Sequence, residues 1–345
     1  MKKSLLFLFV MMLAAMLVFA ACGDSAAPTG EESTEEGAGG EEQTGEEQAS
    51  GESTNMLMAT GGTTGTYYAY GGVIGSTITN AGVGLSVTAN SSGASAENVA
   101  NLADKQVQLA ILQNDVLDYA YNATDMYEGQ DPVTSINVIA TLYPEVCQLV
   151  VAADSGITSV ADLRGKAVSI GDIGSGVEFN AKQILAAYGL TTDDIDVRNL
   201  SFADSATAMQ DRAIDAFFAT SGVPNTSVVE LSTAREVTVL PVDGAEAEAL
   251  MEQYAFYTPY EITPEEYSFL SEPVTTVAIC AVLVCTDDLS EDVVYNLTKT
   301  LFDKKAEITT GNAKGEYLDP AYAVEGNSVP YHPGAIRYYE EVGVM

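Results

Sequence analysis

The 345-residue sequence contains one histidine, His332, and no tryptophan. A single imidazole, set in a Tyr-His-Pro-Gly turn, leaves a Ser-His-Asp relay or a histidine-rich zinc site hard to assemble, so a capping or surface role is expected for it. Basic residues are scarce: 14 lysines and arginines stand against 49 acids, a net charge of −35. No Lys/Arg cluster is present to neutralise a phosphate backbone, which excludes a nucleic-acid partner. A small anionic ligand is not excluded, because backbone N–H groups at helix starts can hold an anion without a side-chain cation. Of four cysteines none forms a Cys-x-x-Cys pair; Cys147, Cys280 and Cys285 lie in apolar runs and are expected to be buried free thiols. Nucleotide signatures are missing as well. Gly61-Gly-Thr-Thr-Gly65 lacks the GxGxxG spacing, no GxxxxGK[ST] occurs, and Gly174-Ser-Gly176 is not a GxSxG elbow. No metal, cofactor or catalytic residue is therefore expected, and the chain does not read as an enzyme.

The N-terminus begins with Lys2 and Lys3, then an apolar run from Leu5 to Val18, then Ala20-Ala21-Cys22. This is the layout of a secretory signal at residues 1–21, and the run is short for a membrane span of about 20 residues. Cys22 directly after two alanines fits a lipobox cysteine that is acylated after cleavage. Residues 22–54 carry Asp24, nine glutamates, no base and almost no large apolar side chain, a composition that makes a disordered, self-repelling tether. Setting aside those ten acids and the two leader lysines leaves 39 acids and 12 bases in residues 55–345.

From residue 55 onward short β-rich runs alternate with helical stretches. The first three units are strand 55–60 with helix 67–81, strand 84–89 with helix 94–103, and strand 108–112 with helix 116–121. Such alternation predicts an α/β fold with mostly parallel sheets flanked by helices. The run 136–151, interrupted by Pro144, reads as two consecutive strands and a crossover between lobes. A second series of units follows to about residue 254, and a long strand at 275–285 is expected to return to the first lobe. The reading is two lobes: residues 55–141 with 255–345, and residues 142–254.

In open parallel sheets ligands gather at the carboxyl ends of strands. Five such ends carry small polar loops: Gly62-Thr63-Thr64-Gly65, Ser91-Ser92 with Ser95, Gln113 to Asp115, Ser175-Gly176, and Thr220 to Pro224. Glycine lets the backbone approach a ligand, Ser and Thr add uncharged donors, and each following helix start offers free N–H groups. The same residues serve as ordinary helix caps, so only their convergence argues for a ligand cleft. Tyr67 can wall such a cleft, whereas Tyr70 reads as core. Glu145, beside Pro144 at the crossover, can take a ligand ammonium or pair with a base at a hinge.

The chain resembles the solute receptors of TRAP transporters of the TAXI type. The resemblance rests on Thr60-Gly-Gly-Thr-Thr-Gly-Thr-Tyr-Tyr68, Ser91-Ser-Gly-Ala-Ser-Ala-Glu-Asn98, Gln113-Asn-Asp115 and Tyr143-Pro-Glu145. It continues through Asp162-Leu-Arg-Gly-Lys166, Gly174-Ser-Gly176, Gly222-Val-Pro224 and His332-Pro-Gly-Ala335. Ala94 is a departure, at a position where glycine or a bulkier residue is expected in some relatives. The resemblance implies a two-lobed, type II-like periplasmic-binding-protein fold with a hinge, a TRAP permease as partner, and a glutamate-like amino acid or a dicarboxylate as solute. The expected protein is thus a monomeric lipoprotein receptor, anchored through Cys22 outside the cell membrane, that delivers a small polar solute. A ligand sensor for a signalling partner is the alternative, and a secreted enzyme on the same fold a more remote one.

Overall fold

Leu109–Gln113 is buried at every position, as a strand covered on both faces must be, and helices pack on either side of it. A computed structural model describes residues 53–345; the leader, Cys22 and nearly all of the acidic segment lie outside the described residues. Residues 53–345 form one compact unit. Ten strands build a single mixed sheet: β1 (Thr54–Ala59), β2 (Leu85–Asn90), β3 (Leu109–Gln113), β4 (Ile136–Ala152), β5 (Ala167–Ser169), β6 (Asp196–Arg198), β7 (Ala216–Ser221), β8 (Val237–Leu240), β9 (Thr258–Ile262) and β10 (Val274–Thr286). The order is β2-β1-β3-β10-β4-β7-β5-β6, with β8 added to β4 and β9 to β10. Pairing is parallel within β2-β1-β3 and within β7-β5-β6, while β4 and β10 run antiparallel to their neighbours.

The helices α1 (Thr66–Asn80), α2 (Ser95–Ala103) and α3 (Asn114–Asn122) follow β1, β2 and β3 in turn. In α1, Tyr67, Tyr70, Ile74 and Ile78 recur at three- and four-residue spacing and fill one core with Met56, Met58 and Leu109. In the second half α4 (Gly176–Ala187), α5 (Phe202–Gln210), α6 (Thr226–Ala234) and α7 (Gly244–Gln253) cover β4 to β8. The chain closes with α8 (Glu291–Asp303), α9 (Lys305–Gly311), the single turn α10 (Pro320–Ala323) and α11 (Pro333–Val342), which pack onto the first half. His332 is the N-cap of α11: its Nδ1 accepts from the Gly334 N–H at 3.1 Å. The ring is buried rather than on the surface, and burial pulls its pKa down, so it stays neutral.

One expectation changes. The run with Pro144 is one continuous 17-residue strand, not two. Pro144 lies opposite Cys280, and the Cys280 N–H is satisfied at 3.1 Å by Asn114 Oδ1 from α3. Tyr257, Ile262, Tyr267, Val277 and Ile279 pack with the second-half cores, because β9 pairs with the start of β10 before β10 reaches β3. Only from Ala281 onward does β10 enter the first-half cores. β4 makes the reverse passage between Tyr143 and Val146. Both long strands therefore cross between halves at Pro144–Glu145 opposite Ile279–Cys280. Cys147 and Cys285 are buried free thiols as expected; Cys280 is also free but partly exposed.

Candidate functional site

The carboxyl ends of β1, β2, β3, β5 and β7 face one another across this crossing. A chamber of about 50 Å³ lies between them, lined by Gly62, Gly65, Tyr67, Ser95, Gln113 and Glu145 from the first half and the crossing, and by Gly176 and Thr220 from the second. An outer chamber of about 190 Å³ adjoins it and is lined by Thr63, Thr64 and Ser175, with Gly62 shared. Eleven of the residues singled out in the sequence thus share one cleft. The other four lie outside its lining. Ser91 is exposed, and Pro224 faces solvent. Ser92 serves the loop itself, donating to Asn98 Oδ1 at 2.6 Å and Thr60 O at 3.1 Å. Asp115 is fully buried behind the chamber.

Capping separates the two sides of the cleft. The N-cap residues of α1, α2 and α3 make no side-chain cap, although in α3 the Val116 N–H is taken by Asp115 Oδ1, whereas Ser175 and Asn225 cap α4 and α6. The small polar residues of the first half are therefore not spent on ordinary capping, and the α1 start is open toward the chamber. Asn98, which the sequence reading left aside, holds these loops in place: its Nδ2 donates to Thr60 O at 2.7 Å and Ile111 O at 2.8 Å.

Ala94 borders both chambers with φ 71° and ψ −143°, a region that costs a residue with a Cβ about 1–3 kcal/mol. Strain at a loop that lines a cleft is a mark of a functional position. Ala94→Gly is expected to raise the melting temperature by a few degrees, measured by thermal denaturation without ligand; a lower melting temperature would contradict the strain.

Glu145 carries the site's electrostatics. It is buried at the crossing and accepts a hydrogen bond from the Tyr67 hydroxyl. Burial pushes its carboxyl up to about 8; hydrogen bonds from Tyr67 and Gln113 and the Lys314 charge pull the other way, while Asp115 adds to the rise. Burial likewise pushes Asp115 up to about 7 against hydrogen bonds from the Val116 N–H at 2.8 Å and Asn180 Nδ2 at 3.1 Å. Neither carboxyl has an ion-pair partner among the described residues, so near pH 7 Glu145 is kept largely neutral and Asp115 about half so.

Amides stitch the halves together behind the chamber. Gln113 Nε2 donates to Asn180 Oδ1 at 3.1 Å, Asn180 Nδ2 donates to Tyr257 Oη at 2.9 Å, and Tyr257 Oη donates to Gln183 Oε1 at 2.7 Å. Gln113 Oε1 is buried with no partner and rests on Gly176, where any Cβ would overlap it. Phe202, also absent from the sequence reading, stands on the second-half side with its ring 3.7 Å from the Cβ position of Gly65. Sequence alone signalled Phe202 only as the first residue after the N-cap Ser201. The arrangement offers hydrogen bonds, one latent negative charge and an aromatic cover; it can enclose a small polar molecule.

A family model described as NMT1-like matches residues 58–343. This chain belongs to the NMT1-like family. Among solved structures, the NMT1-like chain is similar to the binding protein component of an ABC phosphonate transporter from Pseudomonas aeruginosa. The identity is 15%, the coverage 76% of this chain and 79% of that one, and the TM-score 0.50. It also matches a putative L-cystine ABC transporter from Listeria monocytogenes (12% identity, 81% and 100% covered, TM-score 0.49). A third match is the alkanesulfonate-binding protein of Xanthomonas axonopodis pv. citri (13% identity, 85% and 80% covered, TM-score 0.48). At such identities the likeness is one of fold, and the fold of this NMT1-like protein is the type II periplasmic-binding-protein fold. Among the described residues no helix is long and apolar enough to cross a membrane.

Proposed function

We propose that this NMT1-like protein is an extracytoplasmic receptor that captures an amino acid between its two lobes and delivers it to a membrane permease. The observation that carries this reading is Glu145: a buried carboxyl at the crossing strands, unpaired by any cation, against the solute chamber. A solute ammonium would supply the missing counter-charge and restore the ionised form. The uncapped starts of α1 and α2 would receive the carboxylate. A plain dicarboxylate fits less well, since it brings no ammonium to pair with Glu145. The chamber of about 50 Å³ is smaller than an amino acid, so entry requires the lobes to part and close again around the solute.

We assign the lobes as residues 54–143 with 280–345, and 145–279, hinged at Pro144–Glu145 and Ile279–Cys280. Cys22 is the proposed lipid anchor and residues 23–53 the tether that holds the receptor near its permease at high effective concentration. The resemblance in the loops favours a TRAP permease; the solved proteins similar in fold serve ABC systems, which makes an ABC permease the alternative partner.

A thermal-shift panel of amino acids, dicarboxylates, 2-oxoacids and sugars tests the solute class. At about 100 times its dissociation constant the right amino acid adds about 2.7 kcal/mol, a shift of several degrees. Stabilisation by sugars alone, or turnover of the stabilising compound, would overturn the reading.

A further inference from the structure

Every charged side chain on the walls of the cleft is acidic. The inner chamber is lined by one carboxyl, Glu145, and the outer chamber by another, Asp172; no lysine or arginine lines either. Lys314, whose charge reaches Glu145, stands outside both linings and gives its Nζ to the Val223 carbonyl at 2.7 Å. Gln113 Oε1, buried without a partner, adds a further acceptor to the inner wall. The acid excess over the whole chain draws cations toward such a cleft.

Asp172 lies in the loop between β5 and α4, and that loop is held in place. Asn199 Nδ2 donates to Gly171 O at 3.0 Å, and the Ser175 N–H donates to the main-chain carbonyl of Asp172 at 3.0 Å. The Asp172 carboxyl itself receives no hydrogen bond and no counter-charge among the described residues; partial burial and the charge of Asp204 push its pKa upward. Asp204 is occupied by the Ser201 hydroxyl at 2.7 Å. Asp172 is thus to the outer chamber what Glu145 is to the inner one, an acid without a cation.

Between the two carboxyls the passage carries no charge. Gly62, Ala94, Val177 and Phe202 border both chambers, and Leu200 borders the outer one. Such a waist suits a run of methylenes, which buries apolar surface there while a charged head reaches water and a counter-ion beyond. A solute with its α-ammonium at Glu145 and its α-carboxylate at the start of α1 would pass its side chain along Phe202 and end beside Asp172. An acidic side chain would set a second carboxylate against Asp172 with no base on the walls to receive it.

We infer that the outer chamber is a subsite for a side-chain cation, and that the solute is a diamino acid whose far ammonium or guanidinium pairs with Asp172. The inference rests on the amino-acid reading of the inner chamber and departs from the glutamate-like solute that the loop resemblance implies.

Calorimetric titration of the wild-type protein and of Asp172→Asn with lysine and norleucine, and with arginine and citrulline, tests it. Each neutral counterpart keeps the methylene stem and drops the charge. In the wild type one cation is expected to bind about 10- to 100-fold more tightly than its counterpart, the range of a hydrogen bond to a charged group. In Asp172→Asn that ratio should fall to within about threefold, with the ligand-free melting temperature unchanged because the carboxyl holds nothing in the fold. A counterpart that matches the cation in the wild type, or a ratio that survives the substitution, would overturn the inference. Binding of other amino acids but none of these four would also overturn it and leave the amino-acid reading standing; binding of no amino acid at all would remove that reading as well.

Discussion

Gly176→Ala lowers solute affinity by about 100-fold and the melting temperature by several degrees. Gly176 opens α4, and a Cβ there would overlap Oε1 and Cδ of Gln113 from the opposite half. The Gln113 side chain cannot simply move aside. It is buried, and its Nε2 donates to Asn180 Oδ1 at 3.1 Å, the first bond of the amide chain that runs to Tyr257 and Gln183. Accommodating one methyl group thus either displaces α4 from the first half or leaves buried amides unpaired. Overpacking costs about 1–3 kcal/mol and an orphaned buried polar group about as much again. The cost falls on the arrangement described, in which Gly176 and Gln113 meet across the halves. Affinity and the ligand-free melt together measure it. Binding preserved within threefold would mean that the halves do not meet at this point around the solute.

Glu145→Gln removes the counter-charge for the solute and is expected to cost about 100-fold or more in affinity, as when one member of a buried charge pair is deleted. The same carboxyl sets the pH response, and two trends run in opposite directions. Without ligand, Glu145 (about 8) and Asp115 (about 7) are both raised above their unfolded values of about 4. Groups raised in the folded state contribute stability that is complete below the unfolded pKa and is lost as pH rises through the folded pKa. The ligand-free protein should therefore lose melting temperature between pH 5 and about pH 8 and then level off, and Glu145→Gln should flatten the upper part of that decline. Binding behaves the other way. An ammonium needs ionised Glu145, so below about pH 8 capture expels a proton and affinity should fall by up to tenfold per pH unit. Affinity independent of pH between 6 and 8 would contradict the pairing.

Much of this architecture was legible because local signals and the tertiary fold agree. The alternation through residues 55–121 places β1 to α3 within a residue or two. Where they disagree, long-range pairing decides. Thr258–Ile262 carries a proline and a glutamate and is mostly exposed, so nothing local marks it as a strand; it becomes β9 only because the start of β10 lies alongside. That pairing also carries residues 257–279 into the second half. Pro144 suggested a break, yet β4 continues because the N–H opposite finds Asn114 instead. The Gln113-Asn-Asp115 loop is in fact the junction where β3 enters α3 directly, which is why Gln113 faces the chamber while Asp115 turns inward. The glycine and hydroxyl loops could be read singly; that they converge, and that Phe202 joins them, follows from topology and not from spacing.

The account turns on the ammonium–Glu145 pair, and calorimetric titration of the best-binding amino acid beside its counterpart lacking the amino group tests it most directly. The account predicts that the amino acid binds with release of a proton at pH 7, seen as a heat that varies with the buffer's ionisation enthalpy, and that the counterpart binds at least about 100-fold more weakly. Equal or tighter binding of the counterpart, with no proton released, would mean that Glu145 stays neutral as a hydrogen-bond donor and that the solute is an acid without an amine.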